Sequence, residues 1–215
     1  MSIMIALMAI LAVEVSLPAG QAGGQESPKE VMEKALTKNI SDSQVLLEQY
    51  QFDVIKNQEV SDEERISDRL SIDELFGRGR YRYEMDDKAI IILDGRAVYL
   101  IDFYPDKDPP GAPEGTNRRG KVKNEILNHL RGTVYVDRED FGIVRVVTHV
   151  NSPPEKISIV GRLYVMDATL EQGRLGKIWV PKEISVKAEF SYFFGWRHSR
   201  ENTTIEFTNF RLKAP

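Results

Sequence analysis

From residue 132 to residue 212 apolar and polar side chains alternate at period two in run after run, which constrains the chain to strands with one apolar face. In 132–150, Val134 and Val136 alternate with Thr133, Tyr135 and Asp137. A polar break with Gly142 follows, and then Val144, Val146, Thr148 and Val150 alternate with Arg145 and His149. That pattern is an antiparallel hairpin. In 158–170, Leu163, Val165 and Asp167 are expected on one face and Tyr164, Met166, Ala168 and Leu170 on the other, with Gly173 turning the chain into 175–180 and Pro181 marking an edge or bulge. Ile184, Val186, Ala188, Phe190 and Tyr192 then alternate with Ser185, Lys187, Glu189 and Ser191. Gly195-Trp196-Arg197-His198 reads as a hairpin tip, and Thr203, Ile205 and Phe207 lead the last strand to about residue 212.

The first half mixes periods. Ser27-Pro28-Lys29-Glu30 carries helix-start chemistry: an N-cap serine, proline in the first turn, and a glutamate three residues after the serine to close a capping box. A short helix to about Asn39 is expected, with Val31, Ala35 and Leu36 on one face, then a further turn or two in 42–48. Tyr50, Phe52 and Val54 begin a strand that runs to about Val60. Residues 65–75 read as a charged strand, with a helix as the competing reading because Ile66, Leu70 and Asp73 also fit a spacing of four. Tyr81, Tyr83 and Met85 share a strand face. Asp94-Gly95 between apolar runs predicts a two-residue hairpin turn, since that pair tolerates the positive backbone angles the turn needs. Residues 104–120 form a loop rich in proline and glycine, and 121–131 read as a helix stopped by Gly132.

These 215 residues suggest a single domain, mainly β with short helices: about ten antiparallel strands in a strongly curved sheet or incomplete β-barrel, three helical pieces covering its concave, apolar face. If the helices fill that face only in part, the remaining space is a cavity suited to acyl chains. A core packed solid gives the same alternation, and pattern alone favours it. The net charge of -4 gives no electrostatic ground for a nucleic-acid partner.

The N-terminus reads as an address. Eleven apolar residues in 3–13 match the core of a secretory signal and are too few for a membrane-spanning helix, although no Lys or Arg precedes Lys29. Cleavage is expected after Ala22, with Gly20 at the minus-three position, leaving 23–215 as the mature domain. Export with no cysteine at all points to a bacterial periplasm, and it removes disulfides, thiolate chemistry and a cysteine-borne lipid anchor.

Catalytic chemistry is not indicated. His129, His149 and His198 fall on separate elements without metal-site spacing. Asp86, Asp87, Asp102, Asp106 and Asp108 fit turn chemistry more simply than a calcium or acid-base cluster. No Gly-x-Ser-x-Gly elbow, phosphate loop or dinucleotide fingerprint occurs. The sequence predicts no enzyme, no cofactor and no metal. Trp196 beside Arg197 and Arg200 is a candidate contact for a membrane surface or partner.

The order of elements, with Leu130-Arg131-Gly132-Thr133-Val134-Tyr135-Val136-Asp137, Ile143-Val144-Arg145, Lys177-Ile178-Trp179-Val180-Pro181 and the terminal Thr203-to-Phe210 strand, resembles the outer-membrane lipoprotein-sorting proteins, the LolA-like superfamily. The resemblance implies an incomplete barrel with helices over its mouth, a hydrophobic cavity for lipid chains, and an early-strand arginine latching the lid. Arg65, Arg69, Arg78, Arg80 and Arg82 are early-strand arginines, and no motif selects one. The function so implied is a periplasmic, monomeric carrier-like protein that binds lipid acyl chains or lipoproteins and meets inner- or outer-membrane envelope proteins. Val134, Val136, Val144, Val146, Ile184, Val186, Phe190, Ile205 and Phe207 are its expected cavity-lining residues. The alternative is a non-enzymatic regulatory or protein-binding module of the envelope with a filled half-barrel, using the 104–120 loop or the Trp196 tip.

Overall fold

The computed structural model describes residues 26–60, 72–77, 79–86, 91–150, 155–158, 161–192 and 197–214. The expected signal segment, Trp196, Arg65, Arg69 and Arg78 lie outside them. Ten strands form one antiparallel sheet: β1 (Tyr50–Val60), β2 (Tyr81–Met85), β3 (Ile91–Leu93), β4 (Arg96–Pro105), β5 (Leu130–Asp137), β6 (Ile143–Val150), β7 (Glu155–Ser158), β8 (Gly161–Leu175), β9 (Ile178–Tyr192) and β10 (Arg197–Leu212). Their order is β1-β10-β9-β8-β6-β5-β4-β2, with β3 beside β4 and β7 beside β8. The sheet is open, since β1 and β2 end the path without pairing with each other. Three helices accompany it: α1 (Pro28–Gln49), α2 (Ile72–Phe76) and α3 (Arg118–Leu127).

Directly opposed residues in neighbouring strands share a face, so the register defines rows across the concave side. One row runs Ile101, Val134, Val146, Leu170, Ile184, Ile205, Lys56. The next runs Phe103, Gly132, Thr148, Ala168, Val186, Thr203. Beyond it lie Met166, Ala188 and Glu201, and then Leu163, Phe190 and Ser199. Val31, Met32 and Ala35 of α1 and Leu75 and Phe76 of α2 pack with the apolar members of these rows other than Ile205 in one core. Each buried valine or methionine there is stabilising by about 1.5–3 kcal/mol relative to exposure.

Helix α1 starts as its sequence dictates. The Ser27 hydroxyl accepts from Glu30 N–H at 3.3 Å and the Glu30 carboxylate accepts from Ser27 N–H at 2.8 Å. It then runs unbroken for 22 residues instead of in two pieces. Asn39 and Asp42, poor helix formers that suggested a break, are buried at its middle and hydrogen-bonded to other elements, so tertiary contacts override local propensity.

Other expectations are also corrected. Residues 72–76 are helical, because Ile72, Leu75 and Phe76 at helical spacing all enter the core. The helix expected over 121–131 begins at Arg118, where Asn117 caps Gly120 N–H, and ends at Leu127; Leu130 already belongs to β5. Gly132 is therefore a strand residue. A Cβ there would lie 1.9 Å from the Val147 carbonyl oxygen, so close approach of β6 requires glycine. Gly173 likewise stays within β8. Asp94 and Gly95 do make the β3–β4 turn, at φ values of 51° and 79°.

Bulges decide which side chains point inward. Between β8 and β9 the register shifts at Tyr164, which places Leu163 on the same side as Met166 and Ala168 instead of opposite them. Val136 pairs with Ile143 while Tyr135 pairs with Arg145, leaving Val144 as the extra residue. A third shift leaves Lys182 unpaired beside Pro181, the bulge that the proline suggested.

Candidate functional site

The concave face is the site to which the sequence pointed, and the end of its floor nearer α1 is apolar. Val134, Val136 and Val146 are 0% exposed, Val186 and Phe190 are buried in the same core, and Ile205 is buried outside that cluster. Ile184 is half-buried against it. Phe207 is also half-buried, with its ring 5.9 Å from that of Phe52. Val144 does not join them. The bulge at its position sends it to a separate cluster with Val98 and Trp179, so Ile143 fills its expected place.

Helix α1 lies over the end of the floor nearest the aliphatic row, held by polar contacts as well as by its apolar side. Asp42 Oδ2 accepts the Trp179 backbone N–H at 2.9 Å, and Lys38 Nζ donates to both Asp42 oxygens at 2.6 Å. Asn39 Nδ2 donates to Asp73 of α2 at 3.0 Å, and Asn39 Oδ1 accepts from Gln172 Nε2 of β8 at 3.0 Å. These contacts bridge α1 to both α2 and the sheet. Their residues carried no sequence motif. The available signal was polar residues at 39 and 42 on the helix face that carries Ala35 and Leu46.

The floor is open on one side. Val54 on edge strand β1 opposes Phe207 and so shares the concave face, yet it is 55% exposed. Ile40 and Leu47, on the outer flank of α1, are also exposed.

The opposite end of the floor is polar, which the sequence reading missed. Ser199, Glu201 and Thr203 continue the row parity of Ile205 and Phe207 and are each no more than 2% exposed. Thr203 Oγ1 donates to Glu201 Oε1 at 3.2 Å. The alternation extends back from Ile205 through 199–203, but with no apolar member there nothing marked those side chains as buried. Arg80, just before β2, is buried and its Nη1 donates to Asn124 of α3 and to Asn128, which caps the end of that helix, at 2.8 and 2.6 Å. Both asparagine amides donate to the Pro110 carbonyl at 3.2 Å, which fastens the 104–120 loop to α3. Of the two early-strand arginines among the described residues, Arg80 reaches the asparagines that hold the loop, whereas Arg82 is exposed and pairs with Glu84.

No protein-family model matches this chain, and no curated protein matches it. Among solved structures it is similar to an outer-membrane lipoprotein-sorting protein domain from Vibrio parahaemolyticus, at 11% identity and a TM-score of 0.32. The match covers 63% of this chain and 43% of that one.

The remaining polar groups organise turns and packing. Among the described residues, no group of three or more His, Asp and Glu side chains is placed to hold a metal. His129 Nδ1 lies 2.8 Å from the Glu125 carbonyl, His149 Nε2 accepts from Arg131 Nε at 2.7 Å, and His198 stacks on Tyr164. Asp102 accepts from Thr133 Oγ1, and Asp106 from the adjacent Lys107 N–H. A surface pocket of about 580 Å³ lies at the hairpin turns, among Asp94, Arg96, Asp137, Arg138 and Glu139. There Arg96 pairs with Asp137 at 3.2 Å. Burial pushes the Tyr83 hydroxyl up to about 12, and raises Tyr81 further against the opposing charge of Arg80. No helix among the described residues is long and apolar enough to cross a membrane.

Proposed function

We propose that this is a periplasmic, LolA-like carrier that holds lipid acyl chains, free or on a lipoprotein, against the concave face by hydrophobic burial and displacement of α1, without covalent chemistry. The observation that carries the reading is the margin of the floor at Val54. Val54 and the opposed Phe207 present apolar side chains on the concave face at an uncovered edge of the sheet, so a chain can begin to bind there before α1 moves. The apolar run at 3–13 supports export. Inner- or outer-membrane envelope proteins are the partners that would load and receive the cargo.

A second reading rests on a different observation. Val134, Val136 and Val146 are fully excluded from solvent, as in a half-barrel filled by its own side chains. On that reading the protein is a binding or regulatory module of the envelope.

The chain has no cysteine, which gives a clean test. Asn39→Cys with Gln172→Cys, bridged by a short bismaleimide, pins α1 to β8. The carrier reading expects acyl chains in organic extracts of protein purified without detergent, and fluorescent fatty-acid uptake that the bridge abolishes. Empty extracts and no uptake by the unbridged protein would replace it with the second reading.

A further inference from the structure

The middle row of the concave face differs from the aliphatic row nearer α1. Thr148 sits in it at 1% exposure, and its Oγ1 has no hydrogen-bond partner. Buried polar groups are nearly always paired, so a buried hydroxyl with no protein partner on a candidate binding face is a donor open to a ligand acceptor. Its neighbours across the strands, Gly132 and Ala168, add almost no side chain beside it. Thr203 in the same row is already engaged with Glu201. Two residues along a strand advance about 7 Å, so a ligand lying along the strands passes from aliphatic side chains to the Thr148 hydroxyl within that distance.

We infer that the concave face recognises an acyl group together with its ester or amide carbonyl, the carbonyl oxygen accepting from Thr148 Oγ1 and the tail lying over Val146 and Leu170 toward α1. An alkyl tail offers a hydroxyl donor nothing, whereas the carbonyl is the acceptor that every acyl ester or amide brings. This rests on the acyl-binding reading above and narrows its ligand to a carbonyl-bearing acyl derivative.

The test uses 1-monooleoylglycerol and its ether analogue, in which a methylene replaces the carbonyl, titrated into the full-length protein by calorimetry. The native protein is expected to bind the ester about fivefold to tenfold more tightly, the worth of one net hydrogen bond. Thr148→Val should erase that preference while raising the unfolding midpoint of the empty protein, because it removes an unpaired buried hydroxyl. Thr148→Ser should retain the preference, and it decides the matter if the valine variant fails to fold. Equal affinity of the native protein for both probes overturns the inference and leaves acyl binding standing. Binding of neither probe overturns both.

Discussion

Asp42 of α1 accepts the backbone N–H of Trp179 at 2.9 Å across 137 positions of sequence, tying the middle of the covering helix to the start of β9. A carboxylate accepting a buried amide is among the stronger hydrogen bonds. Asp42→Ala should cost about 1.5–3 kcal/mol in urea unfolding. Amide exchange should accelerate over 39–49 more than over β5 and β6. Equal acceleration in helix and sheet would show that Asp42 does not fasten α1 in particular.

Asp140 predicts an acid limb. Partial burial pushes its carboxyl up, but the Gly142 N–H, the Trp179 indole N–H and the Arg174 guanidinium together outweigh burial and hold it below the ordinary carboxylate value. A lowered folded pKa contributes stability that is present above the unfolded value and lost as pH falls through the folded one. Asp140→Asn should therefore flatten the loss of stability on acidification below about pH 4. Urea midpoints measured across that range check it.

Tyr83 predicts the opposite limb. Its hydroxyl is raised by burial to about 12, so the neutral form is favoured in the folded state. That stability is complete below the unfolded tyrosine value of about 10 and is lost as pH rises through the folded value. Tyr83→Phe should remove part of the alkaline destabilisation, and a tyrosinate absorbance titration should lose a late-titrating component.

Gly142 underlies the indole of Trp179. A Cβ at Gly142 would fall 1.8 Å from Trp179 Nε1, so Gly142→Ala must displace the ring from Asp140, whose carboxylate accepts the indole N–H at 3.1 Å. Overpacking of this kind costs about 1–3 kcal/mol. In a Trp196→Phe background, leaving one tryptophan, a shifted emission maximum would report the displacement.

Arg80 donates to both asparagines from a single nitrogen, Nη1, at the end of a side chain longer than that of lysine. Arg80→Lys should loosen α3 and the loop fastened through Pro110 while leaving β8 to β10 intact. Limited proteolysis is expected to cut first within 104–129. Cleavage elsewhere, with that region still protected, would overturn the assignment.

Local chemistry was legible wherever one short segment decided the outcome. The capping box at Ser27 and Glu30, the Asp94-Gly95 turn and the uninterrupted alternation over 184–192 depend on contacts a few residues apart, and the sequence by itself determined an open, antiparallel, one-sided sheet. Tertiary structure decided which residues face the concavity. A bulge adds one residue and reverses parity, so Val144 left the core for Trp179 and Leu163 joined it, although each fitted its strand by alternation. Helix α1 stays continuous through Asn39 and Asp42 because their partners lie on Asp73, Gln172 and Trp179, far along the chain. Thr148 and Glu201 are polar residues whose burial follows only from what the curved sheet and its covering helices place over them. Hydrophobic periodicity records the face a strand offers, whereas the pairing of distant strands fixes which part of that face is covered.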